Sequence, residues 1–481
     1  MSRALAVATL AVAVAAAPSL ADPQAARLRR SIDRIVDRPA LARGFWGIEV
    51  RSLRTGRVLY ARNAEKAFRP ASALKLVTTA AALDALGPDA RVRTSVETAG
   101  RIDAFGRILG DVLLVGRGDP RLSGDETDRP LAALEAMADA LVASGVRRIE
   151  GHLIGHEGAL ADERRGSDWT WEDLVWGYGA EVSALSFRDN VVALRLLPGE
   201  RPGEPARLEI EPLTSGVGVE SMVLTADAGV EEDLTLTREP GSNHVRLSGR
   251  LPLGRSWEGR VAVVVPARHA TSAFAEVLAA RGIRVTGGLL TSSAPLPEGL
   301  RVLAAHDGPS LAEAINFVNK DSLNLHAELL LRRLGVQAKG EGSVAKGREA
   351  VLDFLARAGV ASEGWALTDG SGLARTDLVT PGGLVALLLA MDRHPQAAVF
   401  RDSLAVAGVD GTLETRLRGT PSEGRVRAKT GTLRQVNALA GYATTKGGER
   451  LAFAILVNNA ERGPDAVGAI DEIATVLAAA R

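Results

Sequence analysis

Three short strings, Ser72-Ala73-Leu74-Lys75, Ser322-Leu323-Asn324 and Lys429-Thr430-Gly431, stand in this order along the 481 residues. No other feature constrains the fold as much. If they serve one site, chain segments 250 residues apart (Ser72 to Ser322) must meet. Together the strings supply a nucleophile, a base, a proton shuttle and an anion-binding strand, the set that acyl transfer by a serine–lysine enzyme needs. The chain has seven lysines against fifty-one arginines, so generic positive charge is carried by Arg. Arg stays protonated, whereas Lys loses its proton when desolvated or set beside another cation. Lys at two of the three places is what a catalytic reading requires.

A chain of this length is too long for one core, and two or three domains are expected. Its 58 basic and 58 acidic side chains cancel, which removes any electrostatic case for nucleic acid or an anionic membrane surface as a partner. There is no cysteine, hence no disulfide framework and no thiolate metal site. Arg3, the apolar run 4–17 and the small residues Ser19 and Ala21 read as an export signal spanning residues 1–21, cut before Asp22. A run of about 14 apolar residues falls short of the ~20 needed to span a bilayer, so no transmembrane segment is expected after cleavage. The expected location is periplasmic or cell-wall associated.

Apolar and polar residues alternate over 45–60 around Arg54-Thr55-Gly56, which predicts a hairpin. Pro70 before an Ala/Leu/Thr-rich run and Gly87-Pro88 after it predict a helix with Ser72 in its first turn, near the positive end of the dipole. Residues 94–294 are strand-rich, with helical patterns only at 132–144 and 271–281. We read them as an inserted region of two subdomains, the nested one at about 171–265. Helical texture returns at 310–334 and 347–358. Two strand-like runs, 436–444 and 451–457, are placed to pair with the N-terminal hairpin, and a helix over 466–479 follows.

Positions i and i+3 share a helix face, so Ser72 and Lys75 can approach each other. Lys75 can act as base if burial and a second cation, Lys429, depress its proton affinity. Ser322 and Asn324 can serve one site only from a turn before the helix that follows; Ser322 would pass the proton to the leaving amine and Asn324 would bind the substrate backbone. Lys429, Thr430 and Thr432 would bind a substrate carboxylate, Gly431 would allow close approach to the strand, and the amides of Thr432 and Ser72 would form an oxyanion hole. Ser343-Val344-Ala345-Lys346 repeats the first pattern but suits an ordinary helix start. His152 and His156, four apart in a strand-like segment, lie about 13 Å apart and do not make a metal pair. His326, four residues past Ser322, could line the cleft but suits the helix surface better. No Gly-x-Ser-x-Gly elbow occurs, which argues against an α/β-hydrolase.

With these residues in place, the chain resembles the class C low-molecular-mass penicillin-binding proteins, the D-alanyl-D-alanine carboxypeptidase/endopeptidase (penicillin-binding protein 4) family. The resemblance covers nearly all of the chain after the signal. Arg69 to Leu76, Asn319 to Asn324 and Lys429 to Leu433 carry it, with Asp369-Gly370-Ser371-Gly372-Leu373, Arg375, Gly116 to Pro120 and Trp169 to Ala184 as further marks. It implies the penicillin-recognising α/β fold, an antiparallel sheet flanked by helices, built from residues 22–93 and 295–481 around the mostly-β insertion. It also implies hydrolysis of peptidoglycan stem peptides through a Ser72 acyl-enzyme that β-lactams also form, with no cofactor and no metal. Leu373, Arg375 and Leu433 would line the donor side-chain pocket, and an acid of the insertion, Asp162, would meet the substrate's amine. A β-lactamase of the same superfamily remains the alternative; carboxypeptidase versus endopeptidase preference and oligomeric state stay open.

Overall fold

The structure is a computed structural model that describes residues 23–122, 129–211, 216–460 and 464–481; the expected signal lies outside them. Its central sheet has six antiparallel strands in the order Ala405–Val406, Val426–Leu433, Val436–Thr444, Arg450–Asn458, Phe45–Ser52 and Val58–Arg62. The N-terminal hairpin turns at Gly56, whose φ of 70° suits a residue without Cβ. Its first strand pairs along its whole length with Arg450–Asn458. That C-terminal strand is apolar at nearly every position because helices cover both faces of the sheet. Ala452, Ala454 and Leu456 pack on one side with the helices Lys75–Leu86 and Pro381–Asp392. Leu451, Phe453, Ile455 and Val457 pack on the other with Pro23–Val36 and Pro464–Ala479.

The insertion builds its own sheets. Five strands, ordered Leu289–Ser292, Leu153–His156, Val112–Val115, Arg93–Thr98 and Arg301–Asp307, pack against the helices Ala132–Ala143 and Pro266–Ala280. A nested pair of three-stranded sheets follows: Arg207–Glu211, Val191–Leu197 and Trp257–Ala262 in one, and Gly218–Ala226, His244–Pro252 and Asp233–Arg238 in the other. Because Arg301–Asp307 pairs with Arg93–Thr98, we place the return to the catalytic part after Asp307 rather than at residue 295.

The helical stretch expected over 310–334 is two helices, Leu311–Asn319 and Asn324–Lys339. They are broken at the second motif, where Ser322 has a left-handed φ of 63°. Ser343 caps the helix Val344–Arg357, accepting from the Lys346 amide, while the Lys346 ammonium pairs with Glu349 on the surface. That string is therefore a helix start. Among the described residues, no helix is long and apolar enough to cross a membrane.

Candidate active site

Ser72 sits in a 3₁₀ turn, Ala71–Leu74, that runs directly into the helix Lys75–Leu86. Ala71, just before it, holds a φ of 47°, a strained value for a residue with a Cβ. Two glycines make room for this turn. A Cβ on Gly372 would overlap the Ala71 carbonyl, and one on Gly431 would come within 2.6 Å of the Pro70 carbonyl and 3.1 Å of the Ala73 amide. Gly431 therefore lets the third-motif strand lie against the Ser72 turn, a closer constraint than the ligand approach expected of it.

The Lys75 side chain is fully buried, and its Nζ donates to Ser72 Oγ (2.8 Å), Asn324 Oδ1 (2.6 Å) and the Ser371 carbonyl (2.8 Å). Burial lowers its pKa to about 7, against the opposing pull of Asp369, Glu328 and Asp377. A lysine held there is substantially neutral at neutral pH and can accept the Ser72 proton. Of the two causes the sequence reading named, burial and a second cation, burial is the larger. Lys429 is also fully buried, and its Nζ donates to Ser322 Oγ (2.9 Å) and to the Thr430 carbonyl (3.0 Å). Burial and then the Lys75 charge push its pKa well down, with Asp321 opposing. The two lysines serve two hydroxyls, Ser72 and Ser322, so the three motifs meet in one place.

The strand Val426–Leu433 pairs along its whole length with Val436–Thr444, whereas Ala405–Val406 pairs on its other edge only with Ala428 and Arg427. Among the described residues, the outer edge of 429–433 is thereby left without a strand neighbour, beside Ser72. Thr430 is buried, and its hydroxyl is bonded to that of Thr412 (2.8 Å). A cleft of about 550 Å³ opens at this point, lined by Ser72, Ser322, Asn324, Leu373, Arg375, Thr432 and Leu433, with Thr170, Glu172, Asp173, Tyr178, Gly372 and Arg434.

Asp162, the acid expected at the cleft, does not reach it. Its side chain is 66% exposed and paired with Arg164, which also binds Glu157. The insertion's acids at the cleft are Glu172 and Asp173, and Asp173 accepts from Arg375 Nη1 at 2.8 Å and from the Thr170 amide and hydroxyl. Burial favours a proton on Asp173, but Arg375 and Thr170 outweigh it and hold the carboxyl below its usual range. The available signal was that Asp173 lies inside the marked stretch 169–184, whereas Asp162 precedes it. Tyr178 from the same stretch is tied to the second motif, its carbonyl accepting from Asn324 Nδ2 at 2.8 Å.

His326 is not on the helix surface. It is buried, with Nε2 2.8 Å from Asp189 Oδ1, and links the second-motif helix to the insertion. His152 faces Asp111, and His156 Nε2 lies 2.7 Å from the Ala294 carbonyl.

An antiparallel sheet between helical layers, with two buried lysines each bonded to a serine hydroxyl at one sheet edge, is the arrangement expected of a serine–lysine acyl-transfer enzyme of the penicillin-recognising fold. Comparison with known proteins narrows the class. The chain belongs to the D-Ala-D-Ala carboxypeptidase 3 (S13) family, which matches residues 28–479, and is a serine peptidase of that kind. It is 37% identical to a D-alanyl-D-alanine carboxypeptidase of Actinomadura sp. strain R39, over 96% of this chain and 87% of that one. It is 27% identical to the D-alanyl-D-alanine carboxypeptidase DacB of Haemophilus influenzae, over 87% of this chain and 86% of its relative. Among solved structures, penicillin binding protein 4 (dacB) from Haemophilus influenzae superposes with a TM-score of 0.81 at 24% identity, covering 92% of this chain and 97% of the other.

Proposed function

We propose that Ser72 is the nucleophile and Lys75 the base of a D-alanyl-D-alanine carboxypeptidase/endopeptidase acting on peptidoglycan stem peptides on the cell-wall side of the membrane. The observation that carries this reading is the 2.8 Å contact between Ser72 Oγ and a buried Lys75 amine whose pKa is about 7. Neutral Lys75 accepts the Ser72 proton as Oγ attacks the carbonyl carbon of the penultimate D-alanine. The amides of Ser72 and Thr432 hold the oxyanion. Collapse breaks the C–N bond; the proton leaves Lys75 and reaches the departing amine through the Ser322 hydroxyl. Water, giving its proton to Lys75, then attacks the ester and frees Ser72.

The substrate lies as an added strand along the open edge 429–433. Lys429, with Thr430 and Thr432, receives the terminal carboxylate, whose charge restores the proton that burial disfavours on Lys429. Asn324 bonds the peptide backbone. Leu373, Arg375 and Leu433 wall the donor side-chain pocket, and Asp173, in place of Asp162, meets a substrate ammonium there.

Labelled penicillin should attach to Ser72 and to no other residue, and Ser72→Ala should abolish labelling without unfolding the protein. Label on Ser343, or none at all, would overturn the assignment. Digestion of purified sacculi by the wild type should release D-alanine or open D-alanyl cross-links, and rapid turnover of penicillin instead would make the protein a β-lactamase.

A further inference from the structure

Behind the cleft, on the side of Lys75 away from substrate, lies a group of buried carboxyls that the reaction does not touch. Glu328 is fully buried on the helix Asn324–Lys339. Its Oε1 accepts from the amides of Gly370 and Ser371, both at 2.9 Å, and its Oε2 accepts from Arg332 Nη1 at 3.0 Å. Asp369 Oδ1 accepts from the Ser371 amide at 3.0 Å and the Gly372 amide at 2.6 Å. Asp377 Oδ1 accepts from the Thr368 amide at 2.6 Å, and its side chain meets that of Asp369. Three acidic side chains thus surround the turn 370–372, and among the described residues the Arg332 guanidinium is the one cation that pairs directly with any of them.

That turn matters because the Ser371 carbonyl is one of the three acceptors around Lys75 Nζ. A neutral amine has two hydrogens and one lone pair. If Asn324 Oδ1 and the Ser371 carbonyl take the hydrogens, the lone pair is left for the Ser72 hydroxyl. The carbonyl can orient the amine only if the turn that carries it is held still: Asp369 holds the carbonyl's own peptide through the Gly372 amide, and the Glu328 carboxylate holds the two preceding peptides through the amides of Gly370 and Ser371. The Thr78 hydroxyl adds a bond to the Gly370 carbonyl at 2.7 Å.

We propose that Glu328 is a positioning residue for Lys75: it fixes the Ser371 carbonyl that orients the amine, and it supplies negative charge beside the site where the proton is taken up. The inference rests on Lys75 being the base. The charged and titratable groups around Lys75 come from three elements: Lys429 on the third-motif strand, Glu328 with Arg332 on the second-motif helix, and Asp369 and Asp377 on the loop between residues 368 and 377. Burial and Asp369 push the Asp377 carboxyl well up. Burial and Asp369 push the Glu328 carboxyl up as well, but its Arg332 pair and the Ser371 amide oppose this and favour its charge, and that charge favours the Lys75 ammonium.

Two variants separate charge from geometry, read by the rate at which labelled penicillin acylates the full-length protein between pH 5 and 9. Glu328→Gln keeps an acceptor for the two amides but removes the charge and leaves Arg332 uncompensated. The rise of rate with pH, centred near 7 in the wild type, should move to lower pH by about one unit. Glu328→Asp keeps the charge and the Arg332 pair but is one methylene short of the two amides. Its pH midpoint should stay in place while the plateau rate falls about tenfold. An unmoved midpoint in Glu328→Gln, or wild-type rates at every pH in Glu328→Asp, overturns the proposal. Should Glu328→Gln fail to fold because Arg332 is unpaired, Glu328→Asp decides alone: a lowered plateau with an unchanged melting temperature upholds the role, and an unchanged plateau refutes it. A wild-type rate without any rise near neutral pH would instead remove Lys75 as the base, a failure of the reading beneath.

Discussion

Lys75→Met is expected to make the fold more stable at neutral pH than the wild type, by an amount that depends on pH in a defined way. The fold lowers this amine's pKa from 10.5 to about 7 by taking it out of water. Above pH 10.5 the lysine is neutral whether the chain is folded or not, and there is no penalty. Between 10.5 and 7 the unfolded chain binds a proton that the folded chain does not, so stability falls as pH falls. Below 7 both states carry the proton and the penalty is constant. At about 1.4 kcal/mol per pH unit, the full effect is about 5 kcal/mol. Met fills the space with a flexible apolar chain and binds no proton. Losing the contacts to Ser72, Asn324 and Ser371 adds an offset that does not change with pH. Urea unfolding of both proteins at half-unit steps from pH 6 to 9.5 provides the measurement, read from midpoints at equal slope. The advantage of Lys75→Met should grow by about 3 kcal/mol from pH 9.5 to 7 and then level off. A difference that stays flat across that range would show that Lys75 titrates normally in the fold, and the argument for it as a base at neutral pH would go with it.

Lys75→Arg keeps the charge but supplies no neutral amine, so penicillin acylation should fall by about 10²–10⁴ in a stopped-flow or labelling assay. Asp173→Asn should lower kcat/KM for stem peptides with a free side-chain ammonium about five- to fiftyfold, and acylation by penicillins lacking the amine should barely change. Equal losses on both would point to a disturbed Arg375 instead. Gly372→Ala adds a Cβ against the Ala71 carbonyl at a φ of 79°; it should cost about 1–3 kcal/mol by thermal melting and slow labelling of Ser72. Asp189→Ala leaves buried His326 without its partner and should lower stability by about 3 kcal/mol in urea, while a neutral result would mean that the second motif does not depend on that link.

The make-up of the candidate site was legible because it is written in short strings. A Ser three residues before a Lys, a Ser two before an Asn and a Lys-Thr-Gly ahead of an apolar run each specify donors and acceptors within one turn or one strand, where local geometry follows from spacing alone. The hairpin at 45–60 and the C-terminal strand pair were legible for the same reason, since alternation and a Gly turn are local signals. Burial was not legible, because it is a property of everything packed around a residue. The lysine that the sequence marks as a candidate base is taken out of water only by the fold, and that burial is the main cause of its lowered pKa. His326 looked like a surface residue until the insertion supplied Asp189 to bury it against. Asp162 and Asp173 are two acids eleven residues apart in one loop region, and only the path of the chain decides that the first pairs with Arg164 at the surface while the second meets Arg375 at the cleft. Glu328 carries no motif at all. Its place under Ser371 exists only once residues more than forty positions apart are folded together, because the two amides it holds belong to a turn that nothing near it in sequence could build.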